Sequence, residues 1–290
     1  MTAHVLQWVL SELARQRTVA VATVLNTAGS VPGKTGARLA MSSFEAGWVG
    51  TVGGAGLEHR VLERCRELLT KQHKPFAEVL TYGLNKGAKG YEVTPLDSLC
   101  GGRVAISIEV MIPMPHVHIM GGGHCGEALA TTLHGLGWSY SVHDTRPEYV
   151  SIEKYPHAIE RSSVAVSDLF GSESASTMGR FSDVLLLGHD WAEDQERLLG
   201  LLTLFNVPEA ALNGRDYPRI GVIGSRSKWR SFEQTCLKKG LPQELLDQVI
   251  CPIGLNIGAQ SPEEIAVAVV AQVMALHKGV DPNESTWRQA

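Results

Sequence analysis

The chain has 290 residues, 44% of them hydrophobic and 19% charged, with a formal net charge of −4. That length is enough for a sizeable core in one or two domains, while the slight acidity gives no electrostatic footprint for nucleic acid as a partner. Five scattered cysteines, Cys65, Cys100, Cys125, Cys236 and Cys251, form no Cys-x-x-Cys pair and exclude the usual zinc spacings.

No basic leader precedes an apolar core at residues 1–10, and no apolar run approaches the roughly 20 residues of a membrane span. A cytoplasmic protein without membrane attachment is expected. Residues 1–14 read as an amphipathic helix, with Val5, Trp8, Val9 and Leu10 near helical spacing. Residues 18–25 are a β-branched run and predict a strand, followed by a Gly, Pro and Asn loop over 26–34. Two further strands are expected over 36–41 and 47–52. The second ends in Gly50-Thr51-Val52-Gly53-Gly54, after which Leu57, Val61, Leu62, Cys65, Leu68 and Leu69 mark the buried stripe of a helix.

Residues 76–82 predict a strand, 84–98 carry no clear period, and Cys100-Gly101-Gly102 leads into a strand over 104–110. Pro113 and Pro115 cannot donate to a sheet ladder, which places a domain boundary there. The expected division is an N-terminal mixed α/β domain over 1–113 and a Rossmann-like, doubly wound parallel-sheet domain over 114–290. In the second, strands over 116–120, 139–143, 183–187 and 219–223 alternate with helices over 125–134, 193–204 and from Gly224 onward. The last helix starts with Ser261 as cap, Pro262 at its first position and Glu264 closing a capping box. Its stretch 265–276 is apolar almost all round, so it lies deep against the sheet or in a subunit interface, and residues 279–290 read as a frayed tail.

Gly121, Gly123 and Gly126 form a Gly-x-Gly-x-x-Gly where a strand turns into a helix, and Asp144 follows Gly126 by 18 positions, at the end of the next strand. Spacing and context are those of the dinucleotide fingerprint: a tight turn, close approach of a phosphate, close helix packing, and an acid placed for a ribose. The helix N-terminus favours an anion without naming it. Gly224, Ser225, Arg226 and Lys228 open another helix, where cations oppose the dipole, so a bound anion is expected there too. His124, His143 and His189 stand at strand ends as acid–base candidates, and His116 and His118 share one strand face. In the first half, Gly29-Ser30, Gly53-Gly54 and Cys100-Gly101-Gly102 are glycine turns at strand ends. They let a flat ligand approach the backbone, with Cys100 and Cys125 exposed enough for thiolate chemistry. Glu58, one turn into its helix, also has the bland explanation of a favourable helix dipole.

In this order these residues resemble the xanthine dehydrogenase accessory factor family (XdhC/CoxI). The resemblance rests on Gly29-Ser30-Val31-Pro32, Gly50-Thr51-Val52-Gly53-Gly54 with Leu57-Glu58, Cys100-Gly101-Gly102, the Gly121–Gly126 turn, Ile223-Gly224-Ser225-Arg226 with Lys228, and Pro252-Ile253-Gly254-Leu255 through Ala266. It departs at Ala55, where the family has a third glycine. It implies a chaperone that binds molybdenum cofactor (molybdopterin) as cargo, supports its sulfuration with a cysteine desulfurase, and inserts it into xanthine dehydrogenase or a related molybdenum hydroxylase. The groups implied for the cargo are Gly53, Gly54, Glu58, Cys100, Gly101, Gly121, Gly123, Gly126, Asp144, Gly224, Ser225, Arg226 and Lys228, with Cys100 facing the molybdenum. No catalytic residue is implied.

Two other readings compete. The fingerprint and Asp144 also suit an NAD(P)-dependent oxidoreductase, and the apolar last helix suits a scaffold that binds only the target enzyme. A nucleotide or NAD(P) in the second domain fits either of the first two readings, and a homodimer fits all three.

Overall fold

The computed structural model describes residues 2–43, 47–71, 74–84, 93–95, 101–207 and 218–284. The chain divides into two compact units, Met1–Pro113 and Met114–Ala290.

In the first unit α1 (Thr2–Ala14) precedes β1 (Val19–Ala28), β2 (Arg38–Ser42) and β3 (Trp48–Gly50), and α2 (Ala55–Lys71) precedes β4 (Phe76–Gly83), β5 (Val93–Pro95) and β6 (Arg103–Met111). The strands form one sheet in the order β3-β2-β1-β6-β4-β5, antiparallel except for the β4–β5 pair. Alternation along β1 explains the layering. Ala20, Ala22 and Val24 turn to α2 and its stripe of Leu57, Val61, Cys65 and Leu68, whereas Val19 and Val21 turn to Val5 and Val9 of α1. The unit is a mixed α/β domain with a helix on each sheet face.

The second unit begins with β7 (His116–Met120), α3 (His124–Gly135), β8 (Ser139–His143), β9 (Arg161–Ser162), α4 (Val166–Ser172) and α5 (Ala175–Met178). It continues through β10 (Asp183–Leu186), α6 (Trp191–Phe205), β11 (Arg219–Val222), α7 (Arg226–Lys238), α8 (Gln243–Leu246) and α9 (Pro262–Lys278). The five strands are parallel and ordered β11-β10-β7-β8-β9. Counted from β7 this is the 3-2-1-4-5 winding of a Rossmann sheet, which reverses direction between β7 and β10. Val117, Ile119, Val142 and Leu185 cover one face against Leu129, Ala130 and Leu133 of α3 and Val269, Val270 and Val273 of α9. Met120, Val184, Leu186 and Val222 cover the other against Leu198, Leu201 and Phe205 of α6 and Phe232 of α7.

The short elements β5, β9, α4, α5 and α8 leave no period in the sequence because none is long enough to repeat one. Helix α9 forms the expected capping box, with Ser261 accepting from the Glu264 amide and Glu264 reaching back to Ser261. It lies against the sheet through Ala266, Val269, Val270 and Val273, while Val267 and Leu276 are exposed. Gly279, expected to begin a frayed tail, instead ends the helix in a left-handed cap, with Val280 N donating to Ala275 O. Residues 285–290 lie outside the described residues. Among the described residues no helix is long and apolar enough to cross a membrane.

Candidate functional site in the Rossmann-like unit

In a doubly wound sheet the ligand crevice lies beyond the carboxyl ends of the strands at the point where the winding reverses. Here that point lies between Gly121, after β7, and Gly188, after β10. A Cβ on Gly121 would stand 2.6 Å from Gly188 N, so only glycine lets the two turns approach this closely. A Cβ on Gly126 would collide with the Gly121 carbonyl, which allows α3 to start hard against β7. Gly123 behaves differently: a Cβ there would meet nothing within 4 Å.

Helices α3, α6 and α7 all start at this edge. Asp190 caps α6, accepting from the Ala192 and Glu193 amides at 2.7 and 3.0 Å. Ser225 caps α7 by accepting from the Lys228 amide. Gly123 at the start of α3 offers no side-chain cap to the first-turn amides of α3, and a Cβ there would meet open space. An uncapped helix start beside open space suits an anion.

Asp144 stands at the end of β8 as expected, and its partners are internal. It accepts from Gly122 N at 2.9 Å, from Arg146 N at 3.1 Å, and from Arg146 Nε and Nη2 at 2.8 and 2.9 Å. Burial opposes its ionisation, but the Arg146 guanidinium and the two amides outweigh it and lower its pKa to about 2. Arg146 lies over the Tyr149 ring at 3.7 Å, with Lys154 Nζ 4.7 Å from the same ring and paired with Glu127. Arg146, Tyr149 and Lys154 escaped the sequence reading because they follow the acid on a loop and a short turn. The signal that would have found them is the cation two residues after Asp144.

The second expected cradle is filled by its own side chains. Lys228 Nζ donates to Asp194 Oδ2 at 2.7 Å and to Ile223 O at 3.2 Å. Asp194 also accepts from Arg197 Nη1 at 3.1 Å, Arg197 Nη2 pairs with Glu193 at 3.0 Å, and Thr145 Oγ1 donates to Glu193 at 2.6 Å. Asp194 and Arg197 are fully buried beneath Gly188, where a Cβ would stand 2.6 Å from Arg197 Nη1. Lys228 therefore neutralises a buried carboxylate, a role that α7 alone did not reveal. Gly224 sits against the Lys228 stem, Ser225 is used as the cap, and Arg226 is exposed.

The histidine candidates separate. His124 and His189 are exposed, whereas His143 is buried with Nε2 2.9 Å from Val164 O and its pKa lowered by burial. His116 and His118 share one face as expected, and both pack on Phe181: His116 edge-on and 2.9 Å from Ser141 Oγ, His118 stacked at 4.5 Å. Burial lowers the pKa of His116 to about 4 and that of His118 well below its usual value. These are neutral core groups. Among the described residues no set of three or more His, Cys, Asp or Glu side chains forms a metal cluster. Burial and the Glu263 charge raise the Cys125 thiol, which removes the condition for a reactive thiolate.

In the first unit the glycine turns converge. Gly53 is packed so closely on Gly33 that a Cβ on either would collide with backbone, and a Cβ on Gly102 would stand 2.6 Å from Ala28 O and Ser30 O. The loop after β1 is thereby held between the turns that open α2 and β6. Gly53 N donates to Thr51 Oγ1, which in turn donates to Glu58. Gly101 borders open space, Gly54 is exposed, and Cys100 lies outside the described residues.

The XdhC Rossmann domain family matches residues 117–273, and the XdhC and CoxI family matches residues 12–83. The chain belongs to the XdhC/CoxI family. This family member is 28% identical over 255 residues, 88% of its length and 43% of the relative's, to an Escherichia coli K12 protein described as uncharacterized protein YqeB. It is 27% identical over 175 residues, 60% of its length and 46% of the relative's, to a Bacillus subtilis protein described as a probable xanthine dehydrogenase subunit. The chain thus spans less than half the length of these curated relatives. A crystal structure described as a xanthine dehydrogenase from Bacillus halodurans aligns over 97% of this chain and 98% of that one, at 21% identity with a TM-score of 0.46.

Proposed function

We propose that this XdhC-family chain is an accessory protein to xanthine dehydrogenase or a related molybdenum hydroxylase, which binds molybdenum cofactor as cargo, presents it for sulfuration by a cysteine desulfurase and delivers it to the target enzyme. Family membership and the relative described as a probable xanthine dehydrogenase subunit support the accessory role. The structural observation that carries the reading is the uncapped start of α3 beside the open space at Gly123. It suits the terminal phosphate of a pterin cargo and, unlike an oxidoreductase site, needs no acid or base beside it.

Under this reading the first-turn amides of α3 hold the phosphate, and Arg146 and Lys154 add positive charge. Gly121 and Gly126 keep the turn close to the sheet. The first unit is proposed separately as a contact for the cargo, with Gly54 and Gly101 leaving backbone open, Gly53 fixing the turn, and Glu58 and Cys100 as the groups for a metal. A nucleotide is the alternative occupant of the α3 turn, and a second copy of the chain is the proposed partner of the exposed Val267 and Leu276 on α9. A delivery protein must also release its cargo, so moderate affinity, lowered by the target enzyme, is expected.

The test is to mix the purified chain with freshly released molybdenum cofactor under anaerobic conditions, remove free ligand, and measure retained pterin by fluorescence after oxidation. Stoichiometric retention, reduced by Gly123→Trp, is expected, with Cys100→Ala lowering activation of the target enzyme. Absence of retained pterin would overturn cargo binding.

A further inference from the structure

In the dinucleotide fingerprint the acid at the end of the second strand accepts the ribose hydroxyls. Asp144 occupies that position with its hydrogen-bonding capacity already used. An ionised carboxylate offers about four lone-pair sites, and Asp144 fills two on each oxygen: Oδ1 with Arg146 N and Nε, Oδ2 with Gly122 N and Arg146 Nη2. Its side chain is only 2% exposed. A ribose diol reaching Asp144 would have to break the two-pronged pair with Arg146 or the bond that holds Gly122 in the turn.

Arg146 has the complementary property. Its side chain is 28% exposed, its Nε and Nη2 are spent on Asp144, and its Nη1 has no acceptor among the described residues. The guanidinium is also held against the Tyr149 ring, and the Tyr149 backbone packs on Gly122. Its orientation is therefore set before any ligand arrives, and through Asp144 it is tied to Gly122, the residue before the uncapped start of α3. A further observation marks this turn. The Tyr155 hydroxyl is completely buried and has no hydrogen-bond partner among the described residues, 2.9 Å from where a Cβ on Gly126 would stand in the first turn of α3. Buried polar groups left unpaired are rare in folded proteins.

We infer that the α3 turn selects its ligand by phosphate charge, with Arg146 as the reading cation, and that Asp144 is a positioning residue closed to a ribose diol. The inference rests on the proposal that this turn holds a phosphate, and it names what the site rejects: a cofactor recognised through its ribose hydroxyls, as NAD is. The ligand class is a phosphate or pyrophosphate ester whose remaining parts are recognised elsewhere. An unbroken Asp144–Arg146 pair does two things for such a ligand: it fixes the direction of Nη1, and it stops the carboxylate from repelling the phosphate.

The experiment is calorimetric titration of the full chain with inorganic pyrophosphate, ADP, 2′,3′-dideoxy-ADP and NAD. Expected are ADP and dideoxy-ADP affinities within about twofold of each other, NAD weaker than ADP, and a loss of about tenfold for ADP, dideoxy-ADP and pyrophosphate in Arg146→Ala, consistent with loss of a charge-assisted hydrogen bond. Arg146→Lys, which keeps the charge and loses the fork, is measured beside it and should fall between. Asp144→Asn should weaken ADP and dideoxy-ADP equally, by loosening Arg146. ADP binding tenfold or more tighter than dideoxy-ADP, with that difference abolished in Asp144→Asn, would overturn the inference while leaving the phosphate reading intact. Failure of all four probes to bind at millimolar concentration would overturn the phosphate reading and the inference with it.

Discussion

Gly121 and Gly188 close the carboxyl end of the Rossmann-like sheet against each other, with the backbone of Gly121 at φ +123° and a Cβ there only 2.6 Å from Gly188 N. Gly121→Ala combines a left-handed backbone with a backbone collision and should cost about 2–4 kcal/mol. Gly123→Ala, whose Cβ meets nothing, should stay within about 0.5 kcal/mol of the parent. Denaturant midpoints of the second unit's transition compare the two. Equal costs would remove the argument that one glycine serves packing and the other leaves open space.

The buried histidines make stability depend on pH. His116, lowered by burial to about 4, and His118, held by burial well below its ordinary value, stay neutral in the fold, whereas in the unfolded chain both take up protons below their ordinary value of 6.5. The unfolded state therefore binds more protons as pH falls from 6.5, and stability falls with it. The slope contributed by each imidazole is roughly 1.4 kcal/mol per pH unit, continuing to about 4 for His116. His118→Phe, which keeps a ring against Phe181, should flatten this dependence. An unchanged slope between pH 6.5 and 4 in urea titrations would count against it.

Lys228 and Arg226, two residues apart on α7, should respond in opposite ways. Lys228→Met leaves the fully buried Asp194 with Arg197 alone and should cost about 3 kcal/mol or more. Arg226→Ala, at an exposed site, should change stability by less than about 0.5 kcal/mol. Thermal melts at neutral pH separate the outcomes, and a mild Lys228→Met would mean that the ammonium is not needed to neutralise Asp194.

At the start of α9, Ser261→Ala removes the acceptor of the Glu264 amide and should cost about 1 kcal/mol. Glu264→Gln should cost less, because an amide side chain can still accept from the Gln260 and Ser261 amides. Chemical denaturation of the two variants beside the parent checks the ranking.

Much of the fold was legible before the structure. The β-branched run of β1, the alternation of short strands and helices in the second half, the stripe of α2 and the capping box of α9 are signals carried by neighbouring residues, and the mixed and Rossmann-like folds follow from them. Elements of two to seven residues, β5, β9, α4, α5 and α8, were not legible because they are shorter than a pattern needs. The glycine fingerprint marked the tight turn at Gly121 and the close packing of α3 at Gly126. It did not show that Asp144 would be saturated, because a motif gives the position of a carboxylate and not the partners that fill it.

Local order in this protein, its helices, strands and caps, was thus written into residues a few positions apart, since backbone hydrogen bonding and side-chain periodicity act at that range. The polar partnerships were decided by tertiary structure. Gly122 meets Asp144 across 22 positions, Lys228 meets Asp194 across 34, and Thr145 meets Glu193 across 48. Those pairs exist because the 3-2-1-4-5 winding brings the ends of β7, β8, β10 and β11 to one edge. There a charge removed from water must take whichever partner the winding supplies.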